Sequence, residues 1–298
     1  MINNILIRLW RGLIKFHLTD VISDSLFLKI TYYLRTGRQL NITQPERYNE
    51  KLQWLKINDK NPLYTNLVDK ASVKDIVSNT IGKQYIVPTL GTWSNVNQID
   101  FNDLPEKFVL KCTHDSGGIV ICEDKNTFDY SLAEKVLNKS LKYRYYAYGR
   151  EWPYKKVTPQ IIAEPFLEDS KTKELRDYKF FCFNGKAEYM FIAANRQSSD
   201  IETTFDFYDM DFNHLDIING HPNSSVPLDK PLNFDLMKNL AEILSEGIPH
   251  VRIDFYEVNG QVFFGEYTFY HYSGFTPFVP DEWDYILGKH LDIWDIHK

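Results

Sequence analysis

The sequence predicts an α+β chain with two sheets flanking a cleft. Three observations carry that expectation. Segments of helical period alternate with short strands rather than forming a regular βαβ series. Asn-Gly pairs at Asn184-Gly185 and Asn259-Gly260 sit between strand-like runs, so much of the strand pairing is antiparallel. A content of 43% hydrophobic, 15% aromatic and 25% charged residues in 298 is that of a globular chain with a substantial core.

In chain order, helical patterns occupy 4–17, 22–35, 48–58 and 63–78. A strand is expected over 84–90, "QYIVPTL", then a hairpin over 107–123 and a helix near 131–140. "TPQIIAEPFL" reads as a buried strand that leaves toward a linker between Phe166 and Leu175. "DYKFFCF", Asn184-Gly185 and "KAEYMFIAANR" form the next hairpin, whose turn would bring Lys179 and Arg196 to one face. A helix over 233–247 ends at Gly247, and "HVRIDFYEVNGQVFFGEYTF" closes the core as a last hairpin. The expected organisation is a helical extension over 1–60, a first lobe over 61–166 and a second over 167–298.

The net charge of −6 argues against a nucleic-acid partner. It is unevenly placed: up to Lys56 nine Lys/Arg face four Asp/Glu, a net of +5, which leaves −11 beyond. The basic amphipathic start is either a helical pair packed on the main body or a peripheral contact with an anionic membrane surface. No apolar run approaches the roughly 20 residues needed to span a bilayer, and no secretory leader is evident, so a cytoplasmic protein is expected. Cys112, Cys122 and Cys182 lack metal-ligand spacing and read as small buried hydrophobes.

Two stretches carry chemistry. In "FVLKCTHDSGGIVIC" a polar turn containing His114, Ser116, Gly117 and Gly118 follows Lys111. Neighbouring glycines let successive N–H groups turn toward one point, an anion nest that Lys111 could share. A plain hairpin loop is the alternative. In the last hairpin, a three-residue loop Val258-Asn259-Gly260 would set Arg252 opposite Glu266 and place Asp254 and Glu266 diagonally on one face. Two carboxylates there would suit Mg²⁺, which accepts one or two and fills its octahedron with water and phosphate. An Arg–Glu cross-strand ion pair is the alternative.

Together these stretches resemble the two walls of the ATP-grasp superfamily's nucleotide site. "VDKASVKDIV" is similar to that family's Asp-Lys helix, with Lys70, and "FVLK" to its second phosphate lysine, Lys111. "HDSGGIVI" resembles its mobile phosphate loop, and "IIAEPFLED" its adenine hinge, with Glu164, Phe166 and Leu167. Asp177 falls where the family binds ribose, and "RIDFY…FGEYT" resembles the Mg-binding hairpin. The wider family has Asn two residues after its metal glutamate; here Thr268 stands there, and its hydroxyl can still ligate. "NEKLQWLKINDKNPLY", "LKCTHDSGG", "REWPYKK" and "DYKFFCFNGK" place the resemblance in the TupA-like branch, linked to teichuronopeptide and capsular polysaccharide synthesis.

The resemblance implies an ATP-grasp fold and ATP-dependent joining of a carboxylate to an amine through an acylphosphate, with ATP and Mg²⁺. Lys70, Lys111, Ser116, Gly117 and Gly118 would cradle phosphates, with His114 beside them. Asp254, Glu266 and Thr268 would hold the metal. Arg252, Lys111 and Lys179 would act at the transferred group, and Arg196 on phosphate or acid. A uronic acid or other saccharide and an amino acid or amine are the implied substrates. A kinase of a polysaccharide hydroxyl and a glycosyltransferase are the rival activities.

Overall fold

The computed structural model describes residues 2–196 and 200–294. Two antiparallel sheets organise it. The smaller contains β1 (Gly91–Trp93), β2 (Phe108–Cys112), β3 (Ile119–Cys122) and β4 (Ile161–Pro165) in the order β1-β4-β2-β3. The larger contains β5 (Asp177–Phe183), β6 (Lys186–Ala194), β7 (Thr204–Asp209), β8 (His214–Leu215), β9 (His250–Val258) and β10 (Gln261–Thr268), ordered β10-β9-β5-β6-β7-β8.

Helices cover each sheet. α1 (Ile2–Lys15) and α2 (Asp24–Thr36) form a small core of their own, in which Ile14, Phe27, Leu28 and Tyr32 meet Ala147 and Phe275. α3 (Tyr48–Asn58) buries Tyr48, Leu52 and Leu55 in the core of the larger sheet. The pattern expected as one helix over 63–78 is two, α4 (Tyr64–Val68) and α5 (Val73–Ile81). Asp69 makes the break: its carboxylate accepts from the Ala71 N–H at 3.0 Å and the Ser72 hydroxyl at 2.8 Å, competing with helical bonding. The break turns the Lys70 N–H onto the Thr113 carbonyl at 3.2 Å and so brings Lys70 to the β2–β3 loop.

α6 (Tyr130–Leu141) packs Leu137 against Phe108, Leu110 and Ile161 of the smaller sheet, and α7 (Tyr145–Gly149) follows it. α8 (Phe234–Ser245) covers the larger sheet through Phe234, Met237, Ala241 and Leu244. α9 (Glu282–His290) was not expected; Arg47 holds it to α3 through Asp281 at 2.8 Å. The strand expected over 84–90 is also corrected. A 3₁₀ turn occupies Lys83–Tyr85, and the strand begins only at Gly91, beyond Pro88, which has no ladder donor to give.

Candidate active site

The β9–β10 hairpin departs from its expected register and still reaches the expected face. Val258 pairs with Gln261, so the loop is the two-residue turn Asn259-Gly260, with φ of 50° and 79°, not the three-residue loop. Alone, that turn would put Asp254 and Glu266 on opposite faces. A β-bulge at Gly265 corrects the parity: Phe264 pairs with Phe255 and Glu266 pairs directly with Asp254. Arg252 therefore lies opposite Thr268, not Glu266. A Cβ on Gly265 would come within 3.0 Å of the Asp254 carbonyl oxygen and 3.3 Å of its carbon, so the close approach needs glycine.

Around this pair runs an alternating line of charges. Arg252 donates through Nε to Asp254 Oδ1 and through Nη2 to Asp254 Oδ2, both at 2.7 Å. The same Nη2 donates to Thr268 Oγ1 at 2.9 Å and lies 3.6 Å from Glu266 Oε1. Lys179, opposite Asp254 in β5, donates to Asp254 Oδ2 and, at 2.9 Å, to Asp177 Oδ1. Arg196 closes the line on Asp177 Oδ2. Burial drives the Asp254 carboxyl upward, but Arg252 and Lys179 outweigh it and hold the group down at about 2. Asp177 is likewise raised by burial and lowered on balance by Lys179 and Arg196.

Lys179 and Arg196 thus meet, though not by the expected ladder. Asn184-Gly185 is a two-residue turn, but an irregularity between Phe181 and Cys182 shifts the register so that Lys179 pairs with Phe191. Arg196 returns to the same carboxylate because β6 ends at Ala194 and Asn195 turns left-handed, with φ of 59°.

On the smaller sheet, Lys111 in β2 and Glu164 in β4 share a face, and Lys111 Nζ donates to Glu164 Oε2 at 2.6 Å. Lys74 of α5, absent from the sequence expectations, takes Glu164 Oε1 at 2.6 Å. Its one signal is helical spacing, a turn beyond Lys70. Burial opposes the Glu164 charge, yet the two lysines keep its pKa below the usual value.

The loop between β2 and β3 differs from a simple nest. The Gly118 N–H donates to Asp115 Oδ1 at 3.1 Å, so it is already engaged. Ser140 also donates to the Asp115 carboxylate, and Lys70 Nζ donates to the Asp115 carbonyl. Ser116 and Gly117 are the exposed tip. His114 is buried with Nε2 3.2 Å from the Tyr143 carbonyl, and it lines neither cavity described below. Phe166 and Leu167, past the end of β4, also lie outside both.

Two cavities meet here. The smaller, about 110 Å³, is lined by Lys74, Lys111, Glu164, Asp177, Tyr256 and Gly265 among others. The larger, about 600 Å³, runs past Lys179, Arg252 and a group of tyrosines to α1 and α2. Lys70, Ser116, Arg196 and Glu266 line both and mark the junction. No cluster of three or more His, Cys, Asp or Glu suited to a metal occurs among the described residues. Two carboxylates and one hydroxyl nevertheless gather at Arg252 Nη2, a set of hard oxygens that suits Mg²⁺ when phosphate oxygens complete the shell. Glu266 is the one with room, its side chain 39% exposed against 1% for Asp254.

Two antiparallel sheets that face one another across cations, a hairpin loop and a carboxylate-bearing hairpin define an ATP-grasp protein. The TupA-like ATPgrasp family matches residues 50–292, and the chain belongs to that family. No curated protein matches the chain. Among solved structures it is similar to D-alanine–D-alanine ligase from Bacillus anthracis complexed with ATP, at 12% identity and a TM-score of 0.38, over 68% of this chain and 53% of that one. It is also similar to the ATP-grasp ligase PsnB complexed with minimal precursor, at 8% identity and 0.44, over 77% and 61%. D-cycloserine synthetase DcsG gives 14% and 0.41, over 77% and 71%. At these scores the likenesses add nothing to the family match. The chain spans 53% to 59% of the length of the first D-alanine–D-alanine ligases it matches.

Proposed function

We propose that the chain is an ATP-dependent ligase joining a carboxylate to an amine, using ATP and Mg²⁺. The observation that carries this reading is the junction: one small and one large cavity share Lys70, Ser116, Arg196 and Glu266. Nucleotide on one side and acceptor on the other would meet where positive charge is concentrated, as phosphoryl transfer requires. The three-part division at 60 and 166 belongs to the same proposal.

In this reading Lys70, Lys111 and Lys74 bind phosphate oxygens, with Ser116 and Gly117 at the tip of the loop above them. The small cavity is narrower than a nucleotide needs, so binding exchanges a Lys111–Glu164 contact for a lysine–phosphate contact. Glu164 lies on the base side and Asp177 on the ribose side of the small cavity; Phe166 and Leu167, which line neither cavity, would read the base edge only where the nucleotide extends past the end of β4. Glu266, Asp254 and Thr268 would hold Mg²⁺, which when bound neutralises phosphate charge and orients its oxygens. Arg252 and Arg196 orient the acceptor carboxylate; Lys179 keeps Asp177 and Asp254 ionised in place. The branch's link to capsule and teichuronopeptide synthesis supports a saccharide carboxylate, such as a uronic acid, and an amino acid or amine as substrates.

Incubation with ATP, Mg²⁺, uronic acids and amino acids tests the reading by phosphate release and product mass. Amide with ADP is expected. A phosphoester with ADP would replace the ligase by a kinase, and the absence of nucleotide turnover would overturn both.

A peripheral membrane contact is part of the proposal. No helix among the described residues is long and apolar enough to cross a membrane. α1 nevertheless turns Ile5, Leu9 and Leu13 outward beside Arg8 and Lys15, with exposed Phe16 in the turn that follows, while Ile14 faces inward. That pattern suits an anionic lipid surface. Salt-sensitive sedimentation with anionic vesicles, lost in L9S/L13S/F16S, is the expected result; equal sedimentation of both proteins would contradict it.

A further inference from the structure

The helices α1 and α2 lie outside the family match, yet they wall the larger cavity. Ile7, Trp10, Arg11 and Ile14 of α1 and Thr31, Leu34 and Arg35 of α2 line it. Their position is built rather than incidental. Arg150, from the "REWPYKK" stretch, donates through Nη2 to the Thr19 carbonyl at 2.7 Å, lies 3.4 Å from Asp24 and stacks 4.4 Å from the Phe27 ring. Trp10 donates to Thr31 Oγ1 at 2.9 Å, which fixes one helix against the other.

The cations of this cavity fall into two groups. Lys179, Arg196 and Arg252 are committed to Asp177 and Asp254, and Lys70 to the Asp115 carbonyl. Arg11 and Arg35 line the same cavity, are exposed, and carry no ion pair or hydrogen bond among the described residues. Being both exposed and cavity-lining, they stand at its mouth. Between mouth and floor are aromatic faces: Tyr143 stacks on Tyr148 with centroids 5.0 Å apart, and Tyr145 meets Tyr154 at 4.6 Å. Arg11 is close enough to the Tyr143 phenol to oppose the upward push that burial gives it. Two guanidiniums without carboxylates, set beyond a tyrosine wall, suit an anionic group carried on a ring.

We propose that α1 and α2 complete the acceptor site, and that Arg11 and Arg35 bind a second anionic group on a ring-bearing acceptor whose reacting carboxylate lies at the junction. The assignment of the reacting end rests on the ligase reading; the mouth subsite is additional to it. The acceptor thus carries two anionic groups on a ring, a carboxylate at one end and a phosphate or second carboxylate at the other. A volume of about 600 Å³ accommodates such a molecule beside bound nucleotide.

Calorimetric titration with glucuronic acid 1-phosphate, glucuronic acid, carboxymethyl glucuronide and glucose 1-phosphate tests this on the full chain, with a non-hydrolysable ATP analogue and Mg²⁺ present. The wild type is expected to bind one or both ligands with two anionic groups about tenfold more tightly than glucuronic acid or glucose 1-phosphate, which have one anionic group each. The tighter of these two ligands identifies the second group as phosphate or carboxylate. R11Q/R35Q should lose that preference while keeping its affinity for glucuronic acid and for the ATP analogue. R8Q/K15Q, which removes equal charge from α1 outside the cavity, should behave as wild type. A preference retained in R11Q/R35Q, lost equally in R8Q/K15Q, or absent from the wild type would overturn the proposal. Failure to bind the ATP analogue would instead count against the ligase reading, so the two failures are distinguishable.

Discussion

The two walls of the site handle charge in opposite ways. On the larger sheet, Asp177 and Asp254 are buried and saturated: Arg196, Lys179 and Arg252 occupy their oxygens, and each cation has a cross-strand or neighbouring carboxylate. On the smaller sheet, Lys70, Lys74 and Lys111 approach one another with Glu164 as the only carboxylate that pairs with them among the described residues. Counted with Glu266, which lies 3.6 Å from Arg252, the first arrangement sets three cations against three carboxylates and settles the strands; the second sets three lysines against Glu164 alone, a surplus of positive charge beside an exposed loop tip. A buried pair broken on one side is costly, whereas a surplus cation at a cavity is ready for an anion. The charges of the larger sheet are thus paired before any ligand arrives and those of the smaller sheet are not, and Glu266, partly exposed at the junction, is the least committed carboxylate of the larger sheet.

Substitutions sharpen this division. The largest expected effect is on Asp254→Asn, which leaves Arg252 and Lys179 facing a neutral group and should cost about 3–5 kcal/mol in urea unfolding. Lys111→Gln should cost about 1 kcal/mol or less, since Lys74 still holds Glu164, while weakening nucleotide binding. Equal destabilisation by the two would break the comparison. The acid limb follows the same logic. Asp254 is held at about 2 against an ordinary 3.8, so its contribution is present above pH 4 and lost as pH falls toward 2, about 2 kcal/mol in all. That loss should be missing from the Asp254→Asn titration.

Next in size is Gly265→Ala. The added methyl meets the Asp254 backbone at 3.0 Å, so the bulge must shift or flatten, at about 1–3 kcal/mol. The informative readout is Mg²⁺-dependent nucleotide affinity, which should fall with Glu266 displaced from Asp254. Unchanged affinity would show that the bulge does not set the carboxylate pair. The smallest effect in stability is expected on the loop 113–118. Its amides at Ser116 and Gly117 should exchange more slowly with ATP analogue and Mg²⁺, while Gly118, already bonded to Asp115, changes little. Slowing at Gly118 alone would contradict that assignment.

Much of the fold was legible in the residues, and the reason is local. Asn-Gly turns, the Gly247 helix end and the alternating runs of β5 and β9 act within a few positions. What escaped depends on contacts distant in sequence. The last hairpin shows this most plainly: the turn was misread by one residue and the bulge by another, and the two errors cancelled on the face of Asp254 and Glu266. Asp69 had the competence to interrupt a helix, but the apolar period across 63–78 hid it. β7 carries the buried Asp206 in its middle, a residue type with low strand preference. Lys74 has no motif of its own, and only the position of β4 gives it a partner. The tyrosine-lined cavity joins α1, α2, α7 and the segment after β10, a convergence that no single stretch announces.

Diffraction from crystals grown with a non-hydrolysable ATP analogue and Mg²⁺ tests the central claim most directly. The account predicts the terminal phosphate among Lys70, Ser116 and Arg196, a metal on Glu266, and the Lys111–Glu164 contact exchanged for a phosphate contact. Nucleotide seated elsewhere, or phosphates at the junction with no metal near Glu266, would contradict it.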